Sequence, residues 1–234
     1  MTKLFDKMKR FGLHLLRKPF LNKFTYKYAS KIFLFAKFYT IGNINNEAYW
    51  SRIHAKEATS PIGRFEDKVL ELLKTIDFSG KKVLDVGCGR GIFLSQIPEA
   101  IERVGIDISH AAVAMAKEVG IDAYQRELPN IFLTEKKFDI ITSFETLEHT
   151  RKWKEAIKEM VRCMKDDGYL IISVPFENKI VISEHVTYFD VDRLYHFLRK
   201  HVTVLEIKLL GPWLLFIATK KKQTYEDIHD YFLQ

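Results

Sequence analysis

From residue 82 onward the apolar residues fall into short dense runs separated by stretches in which they recur every three or four positions. Dense runs of four to eight read as buried strands, and the 3.6-residue repeat reads as amphipathic helix. The predicted order is strand, helix, strand, helix, strand, strand, helix, strand, helix, strand, strand. Upstream, a turn at residues 59–63 precedes a predicted helix over 64–76, with Phe65, Val69, Leu72 and Leu73 on one side. A helix over 152–164 is predicted to turn Trp153, Ile157, Met160 and Val161 inward. A last helix over about 191–200 precedes strands at 202–210 and 214–219, around Gly211 and Pro212. Alternating strands and helices imply an α/β fold: a seven-stranded sheet, mostly parallel, with helices on both faces. The closing hairpin adds one antiparallel strand. Ligands of such sheets lie beyond the carboxyl ends of the strands.

The 234 residues suffice for one such domain plus an extension, and 47% hydrophobic content fills a core. No run of 18 apolar residues occurs, and the early candidate at 32–36 is stopped by Lys37, so no membrane span is expected. Nor does the N-terminus offer a clean apolar region before a small-residue cleavage site. The two cysteines, Cys88 and Cys163, lack the spacing of a zinc site, and a reducing cytoplasm is the simpler expectation.

Charge divides the chain unevenly. Residues 1–40 hold ten Lys and Arg against Asp6 alone, a net +9. The whole chain carries +7, so the remainder sums to −2. Leu4, Met8, Phe11 and Leu15 recur there at helical spacing until Pro19, and an aromatic series follows at Phe20, Phe24, Tyr28, Phe33, Phe35 and Phe38. Residues 1–45 are therefore expected to form a basic amphipathic helical extension, with the catalytic domain over 46–234. The extension serves either as a lid packed on that domain or as a peripheral contact with an anionic inner membrane surface. No nucleic-acid recognition motif accompanies the charge.

The chemistry concentrates at Asp85-Val86-Gly87-Cys88-Gly89-Arg90-Gly91. An apolar strand running into alternating glycines makes a tight turn whose bare backbone can approach a ligand. A nicotinamide fingerprint would place its third glycine at position 92, which is Ile92. Asp85 instead puts a carboxylate beside the cradle, which suits an ammonium group better than a phosphate. S-adenosylmethionine carries an α-ammonium and a sulfonium and no phosphate. Asp107 lies 20 residues after Gly87, near the spacing of a ribose-binding acid. Cys88 is read as a small residue that fits the loop.

Five segments in order resemble the class I S-adenosylmethionine-dependent methyltransferases, over roughly residues 65–220. The glycine loop resembles their first motif. Gly105-Ile106-Asp107-Ile108-Ser109 resembles the second strand, whose terminal acid holds the ribose hydroxyls. Residues 120–128 resemble the third strand with its adenine-contacting acid at Glu127, although Arg126-Glu127 stands where Gly-Asp is commoner. Residues 138–144 resemble the fourth strand, ending in Phe144, and 167–175 the turn and fifth strand. The resemblance implies a Rossmann-like fold, S-adenosylmethionine as cofactor, and Asp85, Gly87, Cys88, Gly89, Gly91, Asp107, Ile108, Glu127 and Phe144 around it. Asn45 to Trp50 is similar to a Tyr-Trp entry segment of small-molecule methyltransferases.

The sulfonium is already a good leaving group, so orientation supplies most of the acceleration. A hydroxyl acceptor must in addition lose its proton, and His149, after the fourth strand, is the candidate base. The Asn/Asp-Pro-Pro-Tyr signature of many N-methylating enzymes is absent, which favours oxygen as acceptor. Glu145-x-x-Glu148-His149 is similar to a motif of ubiquinone-pathway and small-RNA 2′-O-methyltransferases that holds a divalent metal in some of them. His185 is a further candidate ligand, but no metal site is assigned on so short a motif. Glu184 to Asp190 is similar to an acceptor-side segment of enzymes acting on sugars and lipid-linked intermediates. The expected acceptor is a small-molecule, sugar or lipid-linked hydroxyl compound. A quinone or other prenyl lipid, or a non-catalytic cofactor-binding module, are the alternatives.

Overall fold

In the computed structural model the described residues are 45–57, 76–176 and 184–220. The predicted helix over 64–76 and nearly all of the basic extension lie outside them. Among the described residues five helices and seven strands run in the order α1 (Glu47–Glu57), β1 (Lys82–Val86), α2 (Ile92–Ser95), β2 (Glu102–Asp107), α3 (His110–Glu118), β3 (Asp122–Gln125), β4 (Phe138–Phe144), a short 3₁₀ turn (Leu147–His149), α4 (Trp153–Cys163), β5 (Met164–Pro175), α5 (Val191–Leu198), β6 (Thr203–Leu210) and β7 (Trp213–Thr219). The sheet order is β3-β2-β1-β4-β5-β7-β6. All pairings are parallel except those of β7, which is antiparallel to both β5 and β6. The single antiparallel strand in the closing hairpin is as expected.

Central strands covered on both faces need near-continuous apolar sequence, and Val83, Leu84 and Val86 of β1 and Ile140 and Ile141 of β4 are all buried. Two cores form, one on each face. One gathers Leu84, Ile106, Ile141, Ile172 and Phe216 with Trp153, Ile157 and Met160 of α4 and Leu194 and Leu198 of α5. The other gathers Val83, Ile140, Ile171 and Leu215 with Phe93 and Leu94 of α2 and Val113 and Ala116 of α3. Val161, expected inward, is only partly buried, because the α4 face is completed by Ala156 and Cys163.

Caps set the helix starts. Ser109 Oγ accepts from the Ala112 amide at 3.0 Å to open α3. Asp190 Oδ1 accepts from the Arg193 amide at 2.7 Å to open α5. Helix α4 stops one residue earlier than predicted because Met164 already pairs with Phe138 as the first residue of β5. The chain reverses direction across the sheet between β1 and β4, and the crevice at such a switch point is where ligands of open sheets bind.

Met160 lies fully buried between α4 and the sheet. Met160→Ala is expected to cost about 2–5 kcal/mol of unfolding free energy, while Lys158→Ala on the exposed side of α4 should stay within about 0.5 kcal/mol. Chemical denaturation of the two variants checks this.

Candidate active site

The glycine loop leaves β1 and turns back along β2: the Gly87 and Cys88 amides both donate to the Ile106 carbonyl, at 2.8 and 3.0 Å. Gly87 has φ +81°, and any Cβ there would land on the Thr146 side chain. Only glycine lets this loop touch the loop that follows β4. Cys88 is buried, and its Sγ would lie 2.6 Å from a Cβ on Gly105, so β2 needs glycine at 105 to make room for it. Burial and the neighbouring acids push its thiol well up, so it stays protonated.

Asp107 ends β2 with its two oxygens accepting from the Gly89 amide at 2.9 Å and the Ser109 amide at 2.8 Å. Each oxygen keeps a lone pair for a ligand. Asp85 is 3% exposed and accepts from the Thr142 hydroxyl at 2.7 Å. Burial, only partly opposed by that bond, pushes its carboxyl up to about 7. Ile108 is half-buried beside this group, and its carbonyl accepts from Gln125 at 3.2 Å. Phe144 packs edge-on against Phe93 at 5.2 Å. Glu127 is exposed beyond the end of β3, and no described contact ties it to the glycine loop.

Helix α1 was not foreseen. It has no apolar stripe, because its inward residues face the site and not the core. The signal was its cap, Asn46, whose Oδ1 accepts from the Tyr49 amide at 2.9 Å. Ser51 Oγ lies 3.1 Å from Ser109 Oγ and accepts from the Ala111 amide at 3.3 Å. At its other end Tyr49 donates to the Glu184 carboxylate, and Asn45 Nδ2 donates to the Glu184 carbonyl at 2.8 Å. The helix thus straps the β2 end of the site to the 184–190 segment, and Trp50 packs edge-on against His149 at 4.7 Å.

That segment is clamped to the loop after β4: the Val186 and Thr187 amides donate to the Glu148 carbonyl at 2.8 and 2.9 Å. Glu148 itself is 1% exposed, and among the described residues neither of its carboxyl oxygens has a hydrogen-bond partner. His149 Nε2 and His185 Nε2 each lie 3.9 Å from its Oε1. One ligand atom from each of the three residues falls within 4.8 Å of the others. His149 Nδ1 is 3.2 Å from the Glu184 carbonyl, which can only accept, so Nδ1 carries the proton and Nε2 presents a lone pair. A carbonyl fixing one imidazole nitrogen while the other is offered inward is how ligating histidines are held. Burial pushes Glu148 well above the ordinary carboxylate range and His149 down to about 4. Glu145 stays outside the cluster. It sits at φ +50° and shares a hydrogen bond with the Ser173 hydroxyl at 3.2 Å, and burial pushes it up to about 8.

Residues 54–208 match the methyltransferase-domain family. The chain is similar to a ubiquinone biosynthesis O-methyltransferase of Pseudomonas entomophila, 35% identical over 106 residues, covering 42% of this chain and 46% of that one. It is also 32% identical over 110 residues to a tRNA (carboxymethyluridine(34)-5-O)-methyltransferase of Arabidopsis thaliana, covering 46% of this chain and 27% of the relative. The chain thus spans half or less of the length of these relatives. Among solved structures, the methyltransferase bound to the Haloferax volcanii Trm112 activator superposes with a TM-score of 0.65 at 15% identity, over 78% of this chain and 99% of that one. A methyltransferase of Aquifex aeolicus gives 0.59 at 22% identity, over 70% and 97%. These likenesses show the fold.

Asp85 carries a pH signature. Its folded value of about 7 lies above the ordinary 3.8, so the folded chain keeps a proton that the unfolded chain loses. Its contribution to stability therefore falls as pH rises from about 4 to 7. A bound ammonium favours the ionised form, so affinity for S-adenosylhomocysteine should rise from pH 6 to 8 with release of a proton. Calorimetry in buffers of different ionisation enthalpy checks this. Asp85→Asn should flatten the profile, and a flat wild-type profile would remove Asp85 from the ammonium subsite.

Proposed function

The chain belongs to the methyltransferase-domain family, with S-adenosylmethionine as its cofactor, and from that premise we propose that it methylates a hydroxyl group of a small-molecule acceptor. The observation that carries this reading is the cluster of buried Glu148 and His185 with half-buried His149, in and beside the loop that touches the glycine cradle. An amine acceptor needs only a lone pair. A hydroxyl must also give up a proton, and this cluster serves that need.

In this reading Asp85 faces the α-ammonium, Asp107 the ribose, and the methyl group points past Thr146 towards His149. In-line displacement then requires mainly that the acceptor oxygen be held there with water excluded. Trp50 and α1 close that side. The three side chains fit a divalent cation: a carboxyl whose two oxygens have no hydrogen-bond partner among the described residues, two imidazoles, and a His149 tautomer already fixed by the Glu184 carbonyl. Two nitrogen donors suit a Mn²⁺-type ion better than Mg²⁺. Held by these three side chains, such an ion would lower the pKa of a hydroxyl bound to it. His149, pushed down to about 4, is a poor base on its own, and the role of ligand suits it better.

Chelation of divalent ions is expected to abolish turnover, and Mn²⁺ to restore it. Glu148→Gln and His185→Ala should each lower kcat about 100-fold or more while S-adenosylhomocysteine affinity changes little. Chelation without effect, combined with inactivity of His149→Ala, would return His149 to the role of base. The net +9 of residues 1–40 favours an acceptor presented at an anionic lipid surface. Vesicles with anionic lipid should bind the full chain at low salt and release it as salt rises. Indifference to vesicles at low salt would end that part of the reading.

A further inference from the structure

His54 has no role in the reading so far, yet it occupies the cofactor side of the strap. It lies one helical turn after Trp50 on α1, with the two rings 6.1 Å apart. Its Cε1 lies 3.4 Å from where a Cβ on Gly89 would stand, so the imidazole rests on the bare backbone of the cradle. Its Nδ1 is buried and has no hydrogen-bond partner among the described residues. Leaving a buried ring nitrogen unpaired is costly, and such groups in native proteins call for an explanation. The strap holds the ring in place: Ser51, one residue after Trp50, is bonded to Ser109 and Ala111 on the far side of Asp107. The Gly89 amide itself donates to Asp107 at 2.9 Å. His54 and Asp107 thus both meet the backbone of Gly89.

We propose that His54 is a cofactor-binding residue whose Nδ1 hydrogen-bonds the ribose of S-adenosylmethionine from the side opposite Asp107. The inference rests on the assignment of Asp107 to the ribose. A ribose held against that carboxylate lies over Gly89 and within reach of the imidazole, which can donate to or accept from a hydroxyl. The unpaired nitrogen then gains its partner only when the cofactor is bound. Through Trp50, which also touches His149, the same helix registers both the cofactor and the acceptor side.

The experiment compares two ligands by calorimetry: S-adenosylhomocysteine, and methylthioadenosine, which keeps adenine and ribose but lacks the amino-acid half. His54→Phe keeps a ring against Gly89 and removes the nitrogen; it should weaken both ligands by about tenfold. His54→Asn places an amide near the Nδ1 position and should recover most of that loss. The melting temperatures of the free proteins report any folding defect separately. Unchanged affinity in His54→Phe would overturn the proposal, and so would a loss confined to S-adenosylhomocysteine, which would put His54 on the amino-acid half. Asp107→Ala keeps the underlying assignment separable: if it binds methylthioadenosine normally, the ribose assignment of Asp107 fails whatever His54 does.

Discussion

Four carboxyl groups, Asp85, Asp107, Glu145 and Glu148, lie along the carboxyl edge of the parallel sheet, and burial raises the proton affinity of each. Their described partners are hydroxyls, main-chain amides and histidines. A buried carboxylate without a compensating cation is among the costliest features a fold can carry, and the usual escape is to keep the proton. Burial shifts all four towards the protonated form in the free protein. Positive charge brought by ligands reverses it, and S-adenosylmethionine brings an ammonium and a sulfonium. The site is therefore a store of negative charge released by binding. This couples cofactor affinity to pH and makes the empty fold less stable as its acids ionise.

The same constraint explains why the surrounding backbone is held so tightly. Asp107 is gripped by the Gly89 and Ser109 amides, which fix both of its oxygens. Glu148 is held differently. Its carbonyl is clamped by the Val186 and Thr187 amides while its carboxyl oxygens are left without hydrogen bonds. One residue thus anchors the acceptor-side segment through its main chain and offers chemistry through its side chain. Glu145, at φ +50°, is where the backbone turns to allow this, and strain of that kind persists only where neighbours over-determine it. Those neighbours are the Ser173 carbonyl and hydroxyl, at 3.2 and 3.3 Å from the Glu145 amide.

The sheet and the glycine loop could be read from the sequence because their causes are local. Buried strands need unbroken apolar runs, and a loop with φ near +80° at Gly87 admits little but glycine. Helix ends missed by one or two residues, as at Met164, where pairing with Phe138 took over. Helix α1 escaped because amphipathic periodicity detects helices that face a core, and α1 faces a site with Tyr49, Trp50, Ser51 and His54. The pentapeptide from Glu145 to His149 gave no means of telling which acid would be buried without a partner. That depends on Ser173 and on His185, which lie 28 and 37 residues away in sequence from Glu145 and Glu148.

Helix α1 joins these themes. It is short, it covers both halves of the site, and polar bonds from Asn45, Tyr49 and Ser51 hold it, supplemented by ring contacts. Elements secured by a few polar bonds open at lower free-energy cost than those secured by apolar burial. Cover of this kind, over the glycine loop at His54 and over the His149 cluster at Trp50, contrasts with the apolar anchoring that locks α4 to the sheet. The weak amphipathicity that hid α1 in the sequence is thus the same property that fits it to cover the site.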